Sequence, residues 1–129
     1  MRIKLTSIMV SDQDRALRFY TEVLGFKKNK EFPAGEYKWL TVVSPEAPDE
    51  VELSLEPNAN PAGKQFQEAM FKQSIPVAAF EVGDIESEYQ RLKALGVVFT
   101  CQPTRMGPVS IAVFSDTCGN LIQIYQPPS

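Results

Sequence analysis

The chain has 129 residues, enough for one compact domain with a real core. Its 43% apolar and 22% charged content is ordinary for a globular protein, and a net charge of −3 with a pI near 5.0 argues against nucleic acid as the main partner. Histidine is absent, which removes the commonest transition-metal ligand, and no apolar run nears the ~20 residues that span a membrane.

The first predicted strand covers about 2–10, and Asp12 is placed to cap the helix after it. That helix runs to about Leu24, with Ala16, Leu17, Tyr20, Val23 and Leu24 on one face, and Gly25 ends it as a left-handed C-cap. Strands follow at about 26–32, 37–43 and 50–56, separated by Pro33-Ala34-Gly35 and by the turn Ser44–Pro48. Lys27, Lys28 and Lys30 read as a solvated strand edge. A connector over 57–75 holds a short helix at about 62–73, where Phe66, Ala69, Met70 and Gln73 share a face. A strand at about 76–82 leads to Asp84, which caps a helix reaching Leu95, with Ile85, Tyr89, Leu92 and Leu95 inward and Gly96 after it. The last strands fall at about 97–101, 109–114 and 120–126. Met1–Ser7 carries no signal-peptide core, so a cytoplasmic location is expected, with Cys101 and Cys118 as free thiols. A nucleophilic cysteine would need a nearby base, and no histidine is there to serve.

The pattern strand–helix–strand–strand–strand occurs twice. Val10-Ser11-Asp12 is answered by Val82-Gly83-Asp84, and Leu24-Gly25-Phe26 by Leu95-Gly96-Val97. The offset is 72 residues at the aspartates and 71 at the glycines, so the first copy holds one residue more. The organisation read from this is a single domain over 1–129, made of module 1–56, connector 57–75 and module 76–126.

Several segments together resemble the vicinal oxygen chelate superfamily, the fold of glyoxalase I, extradiol dioxygenases and bleomycin-resistance proteins. They are Val10-Ser11-Asp12-Gln13-Asp14-Arg15-Ala16 with Phe19-Tyr20, Val23-Leu24-Gly25-Phe26, the run Tyr89 to Val97, and Asp116 with Gly119-Asn120. The resemblance implies an α+β fold in which two βαβββ modules form curved, cup-shaped mixed sheets. It also implies four metal-ligand positions, which fall on Leu5, Val77, Glu52 and Gln123. Leu5 and Val77 cannot coordinate an ion, Gln123 offers only a neutral carbonyl, and Glu52 alone cannot hold a transition metal. The expectation is a member of the fold without the metal-binding histidines and without a cofactor, holding a small organic molecule in an apolar cup.

Strand alternation names the rest of the expected lining. Ser7 and Met9 go with Leu5, Ser54 with Glu52, Ala79 and Glu81 with Val77, and Leu121 and Tyr125 with Gln123. Trp39 is a candidate stacking platform, and Arg105, read as lying in a loop over 102–108, a candidate clamp over the cup mouth. The competing expectation is an enzyme of the same superfamily using Glu52 as a metal-free general base, which requires an apolar enclosure that raises its pKa. A homodimer is expected, and neither nucleic acid nor a membrane as partner.

Overall fold

A computed structural model of the chain describes residues 1–128. They divide into two compact units, Met1–Gln67 and Glu68 onward, so that the boundary lies inside the connector. The first unit contains β1 (Leu5–Val10), α1 (Gln13–Arg18), β2 (Lys27–Ala34), β3 (Tyr37–Val43) and β4 (Glu52–Pro57), in a sheet of order β1-β4-β3-β2. The helix α2 (Pro61–Lys72) crosses the boundary. The second unit contains β5 (Ala78–Glu81), α3 (Ile85–Ala94), β6 (Phe99–Met106), β7 (Val109–Ser115) and β8 (Leu121–Gln126), ordered β5-β8-β7-β6. In each sheet the first strand runs parallel to the last, and the other pairs are antiparallel. No helix among the described residues is long and apolar enough to cross a membrane.

Period-two alternation gives each sheet a helix-covered face. In the first, Ile8, Val10, Leu40, Val42, Leu53 and Leu55 are buried together with Ala16, Phe19 and Tyr20 of the helical segment. Each such valine, leucine, isoleucine or phenylalanine contributes roughly 1.5–3 kcal/mol by leaving water. In the second, Ala112, Phe114, Ile122 and Ile124 are buried, as are Ile85 and Leu92 of α3. An edge-to-face run of rings, Tyr89 to Phe99 to Phe114, extends that core.

Both helices start as expected, the Asp12 carboxylate accepting from the Arg15 amide at 3.0 Å and that of Asp84 from the Ser87 amide at 3.1 Å. Their ends differ. In the second unit Val97 N–H donates to Leu92 O and Gly96 N–H to Lys93 O, a Schellman closure with Gly96 at φ 88°. In the first unit α1 passes into a π-helical turn, Phe19–Val23, where Leu24 N–H reaches back five residues to Phe19 O at 3.0 Å. Gly25 at φ 91° then closes the turn. The extra residue of the first copy is thus absorbed as a π turn, which holds the buried Phe19 and Tyr20 side by side.

Two expectations change. The strand expected at 97–101 runs on to Met106, and the register shift between Cys101 and Thr104 leaves Gln102 and Pro103 outside the ladder. An edge strand tolerates this, because a proline there forfeits no bond to a second neighbour. On α2, Phe66 is 58% exposed, and the buried side chain is Gln67. It donates to Met9 O at 2.9 Å and accepts from Asn58 at 2.8 Å. These hydrogen bonds to backbone and loop, more than an apolar stripe, hold the start of α2 to the first sheet.

Candidate functional site

The other face of the first sheet carries the candidate residues. The register sets Leu5, Ser7 and Met9 beside Glu52, Ser54 and Glu56, and then Thr41 beside Ser54 and Lys30, and Trp39 beside Phe32. Its floor is polar and buried, with Thr41 wholly covered and Ser54 nearly so. Its rim is aromatic and open. Phe32 and Trp39 stack with ring centroids 6.3 Å apart and stay 51% and 36% exposed.

Glu52 lies at the centre of the floor, only 6% exposed. Asn29 Nδ2 donates to its Oε1 at 2.7 Å and Thr41 Oγ1 to the same oxygen at 2.8 Å, while Lys30 Nζ donates to Oε2 at 3.2 Å. The bond from Asn29, then that from Thr41, then the Lys30 ammonium outweigh the cost of burial and hold the carboxyl below the usual carboxylate range. The expected rise in its pKa is therefore corrected to a fall, because its neighbours are donors rather than apolar groups. An anion held by three donors is a poor proton acceptor, which counts against Glu52 as a general base.

Asn29 reaches this position through a β-bulge. Between Lys28 and Lys30 the strand β2 advances two residues while β3 advances one, from Val42 to Thr41. Of the three lysines read as one edge, Lys28 alone leaves this face, since Lys27 pairs with Val43 and Lys30 with Thr41. Lys28 pairs with Glu31 at 2.9 Å on the helix side, and Lys30 turns to Glu52. Sequence reasoning missed Asn29 and Lys30; the one available signal was an asparagine, a residue depleted in strands, inside a strand-like run.

The ladder between β3 and β4 is short, running only from Val43–Glu52 to Thr41–Ser54, whereas β7 and β8 pair over six positions. Where β3 and β4 part, the Gln13 amide bridges them. It donates to Lys38 O at 2.8 Å and Leu55 O at 2.9 Å and accepts from Lys38 N at 3.1 Å.

On the matching face of the second sheet lie Ala79, Glu81, Gln123, Tyr125, Ile111 and Val113. Glu81 is exposed, Gln123 and Tyr125 are half-buried, and half-buried Val77 precedes β5 with its amide on Leu121 O at 3.0 Å. Arg105 requires correction. It is a strand residue of β6, not a loop clamp, and its partner Ser110 pairs with Gln126, on the face opposite Gln123 and Tyr125. There it lines a shallow cavity of about 250 Å³ with Pro108, Ser110, Gln126, Pro127 and Pro128.

The residues present do not fit a metal ion. Leu5 and Val77 have no donor atoms, and both oxygens of Glu52 already accept from Asn29, Thr41 and Lys30. The cation beside Glu52 is the Lys30 ammonium. Among the described residues no group of three or more acidic or cysteine side chains could hold an ion.

Two repeated βαβββ units, each with a four-stranded mixed sheet, define the class, and the sequence agrees. The chain belongs to the glyoxalase/bleomycin resistance protein/dioxygenase superfamily, whose model matches residues 2–124. It is 56% identical to YurT of Bacillus subtilis (strain 168) over 126 residues, covering 98% of this chain and 99% of that one. The structure is similar to that of UcmS2 at a TM-score of 0.83 and 33% identity, covering 97% of each chain. It is also similar to TnmS3, an antibiotic binding protein from Streptomyces sp. CB03234, at a TM-score of 0.79 and 27% identity, covering 98% of this chain and 96% of that one.

Proposed function

We propose that this protein binds a small organic molecule without metal, against the face of the first sheet formed by Leu5, Ser7, Trp39, Glu52 and Ser54. The observation that carries the reading is the stacked Phe32–Trp39 pair, left open beside a floor of buried polar groups. A planar ligand laid on those rings gains apolar contact and stacking, while the floor keeps its own hydrogen bonds. Val77, Glu81, Gln123 and Tyr125 form the equivalent surface of the second unit. The antibiotic binding role of TnmS3 supports a binder over an enzyme, as does the donor set around Glu52. The protein acts as a homodimer, with exposed Phe66 and Phe71 of α2 giving apolar area for association.

Trp39 is the single tryptophan, so its fluorescence reads this face alone. A panel of planar aromatic compounds is titrated against the protein, with sedimentation to report assembly. Members of the panel should quench Trp39 and raise the melting temperature, and Trp39→Ala should abolish the stabilisation. A panel that neither quenches nor stabilises, or stabilisation that survives Trp39→Ala, refutes the site; a monomer at micromolar concentration refutes the dimer.

A further inference from the structure

The charged group that the Lys30–Glu52 pair offers to a ligand is an ammonium, not a carboxylate. Glu52 is covered and its two oxygens accept three donors. Lys30, its ion-pair partner, keeps half of its side chain exposed and spends one of three N–H bonds on Oε2 at 3.2 Å. An ion pair with its anion buried and its cation half in solvent presents the positive end outward. Lys30 also sits on β2 two residues before Phe32, so the ammonium and the aromatic stack share one face.

We infer that Lys30 is the polar anchor of this face and selects planar aromatic molecules that carry an acidic oxygen, as carboxylate, sulfonate or phenolate. The inference rests on the binding face proposed above and adds the ligand class. The ring covers Phe32 and Trp39, and the oxyanion accepts from the free N–H groups of Lys30, a charge-assisted contact stronger than a neutral one. Glu52 serves as a positioning residue. Together with Asn29 and Thr41 it fixes the ammonium in place, so little side-chain freedom remains to be lost when an anion arrives. Glu56, the other carboxylate on this face, is half-buried on β4 beside Met9, one row from Lys30, and would draw a cation instead.

Three probes with one ring system separate these possibilities: 2-naphthoate, 2-naphthalenemethanol and 2-naphthylmethylammonium. Each is titrated while the single indole N–H signal of Trp39 is followed by NMR. The carboxylate should bind about tenfold tighter than the alcohol, and the ammonium most weakly. Lys30→Met should reduce the carboxylate's advantage over the alcohol to less than about twofold. Because that variant leaves Glu52 buried beside no cation, the double variant Lys30→Met/Glu52→Gln provides a neutral floor and should lose the preference equally. Lys28→Met, on the helix side, should keep it. A carboxylate no tighter than the alcohol, a preference that survives loss of Lys30, or an ammonium that binds best overturns the assignment. If none of the three probes moves the Trp39 signal, the binding face itself is refuted and the ligand class with it.

Discussion

Replacing Gln13 by leucine tests how the first sheet is held open. The side chain satisfies three backbone groups where β3 and β4 part, the carbonyls of Lys38 and Leu55 and the Lys38 amide. Leucine occupies a similar volume but neither donates nor accepts. Each lost bond costs about 0.5–1.5 kcal/mol net, and a partner left dry costs more. Leu55 is wholly buried and Lys38 half-buried, so only part of the loss can be made good by water. The expected destabilisation is about 2–4 kcal/mol, a fall in melting temperature of roughly 8–15 °C for a chain of this size. Urea unfolding measures the total, and hydrogen exchange locates it. The Lys38 amide should lose protection while those of the Thr41–Ser54 ladder keep theirs. A loss under about 0.5 kcal/mol with Lys38 protection unchanged would show that the bridge is not what joins the strands.

Acid should weaken the protein partly through Glu52, whose carboxyl is held below its usual value of 4.5 by Asn29, Thr41 and Lys30. A depressed carboxylate contributes stability fully above that value and loses it as pH falls through the folded-state pKa. Glu52→Gln should therefore be less stable at pH 7 and show a shallower decline between pH 5 and 3, and parallel curves for the two proteins would refute this. Deletion of exposed Glu22 should turn the π turn into the α-helical ending found at Leu92–Val97 and cost about 1–2 kcal/mol, within the ordinary range for single changes. Deletion of Gln90 in α3 turns the last helical turn by about 100° relative to its core and should cost clearly more. Equal losses in thermal unfolding would mean that the turn does not absorb the extra residue.

The fold was legible because its signals repeat. An aspartate cap, a glycine stop and a set of alternating strands each occur twice, and the slip from 72 to 71 marked where the copies diverge. That slip could not say how the surplus is stored, since a π turn and a longer loop leave the same trace in sequence. The candidate face was legible in part. Alternation put Leu5, Ser7, Trp39, Glu52 and Ser54 on one side of a sheet, and the register agrees. The electrostatics of Glu52 were not legible, because they depend on a bulge that brings Asn29 within reach, and a bulge is set by pairing between strands rather than by local composition. Arg105 was misplaced for a related reason. Pro103 reads as a loop signal, yet an edge strand accommodates it.

The bulge in β2 also separates two kinds of change that a regular strand would couple. Along an unbroken strand, inserting or deleting one residue exchanges the two faces of everything beyond it. Here the irregularity lies on the outermost strand, while Leu40 and Val42, which secure the core, belong to its neighbour. Sliding the bulge by one position would change which side chain meets Glu52 while leaving the Phe32–Trp39 pair and every residue of β3 in place. The fold thus has a mechanical means of altering the candidate face by small shifts at one margin, without disturbing the core behind it.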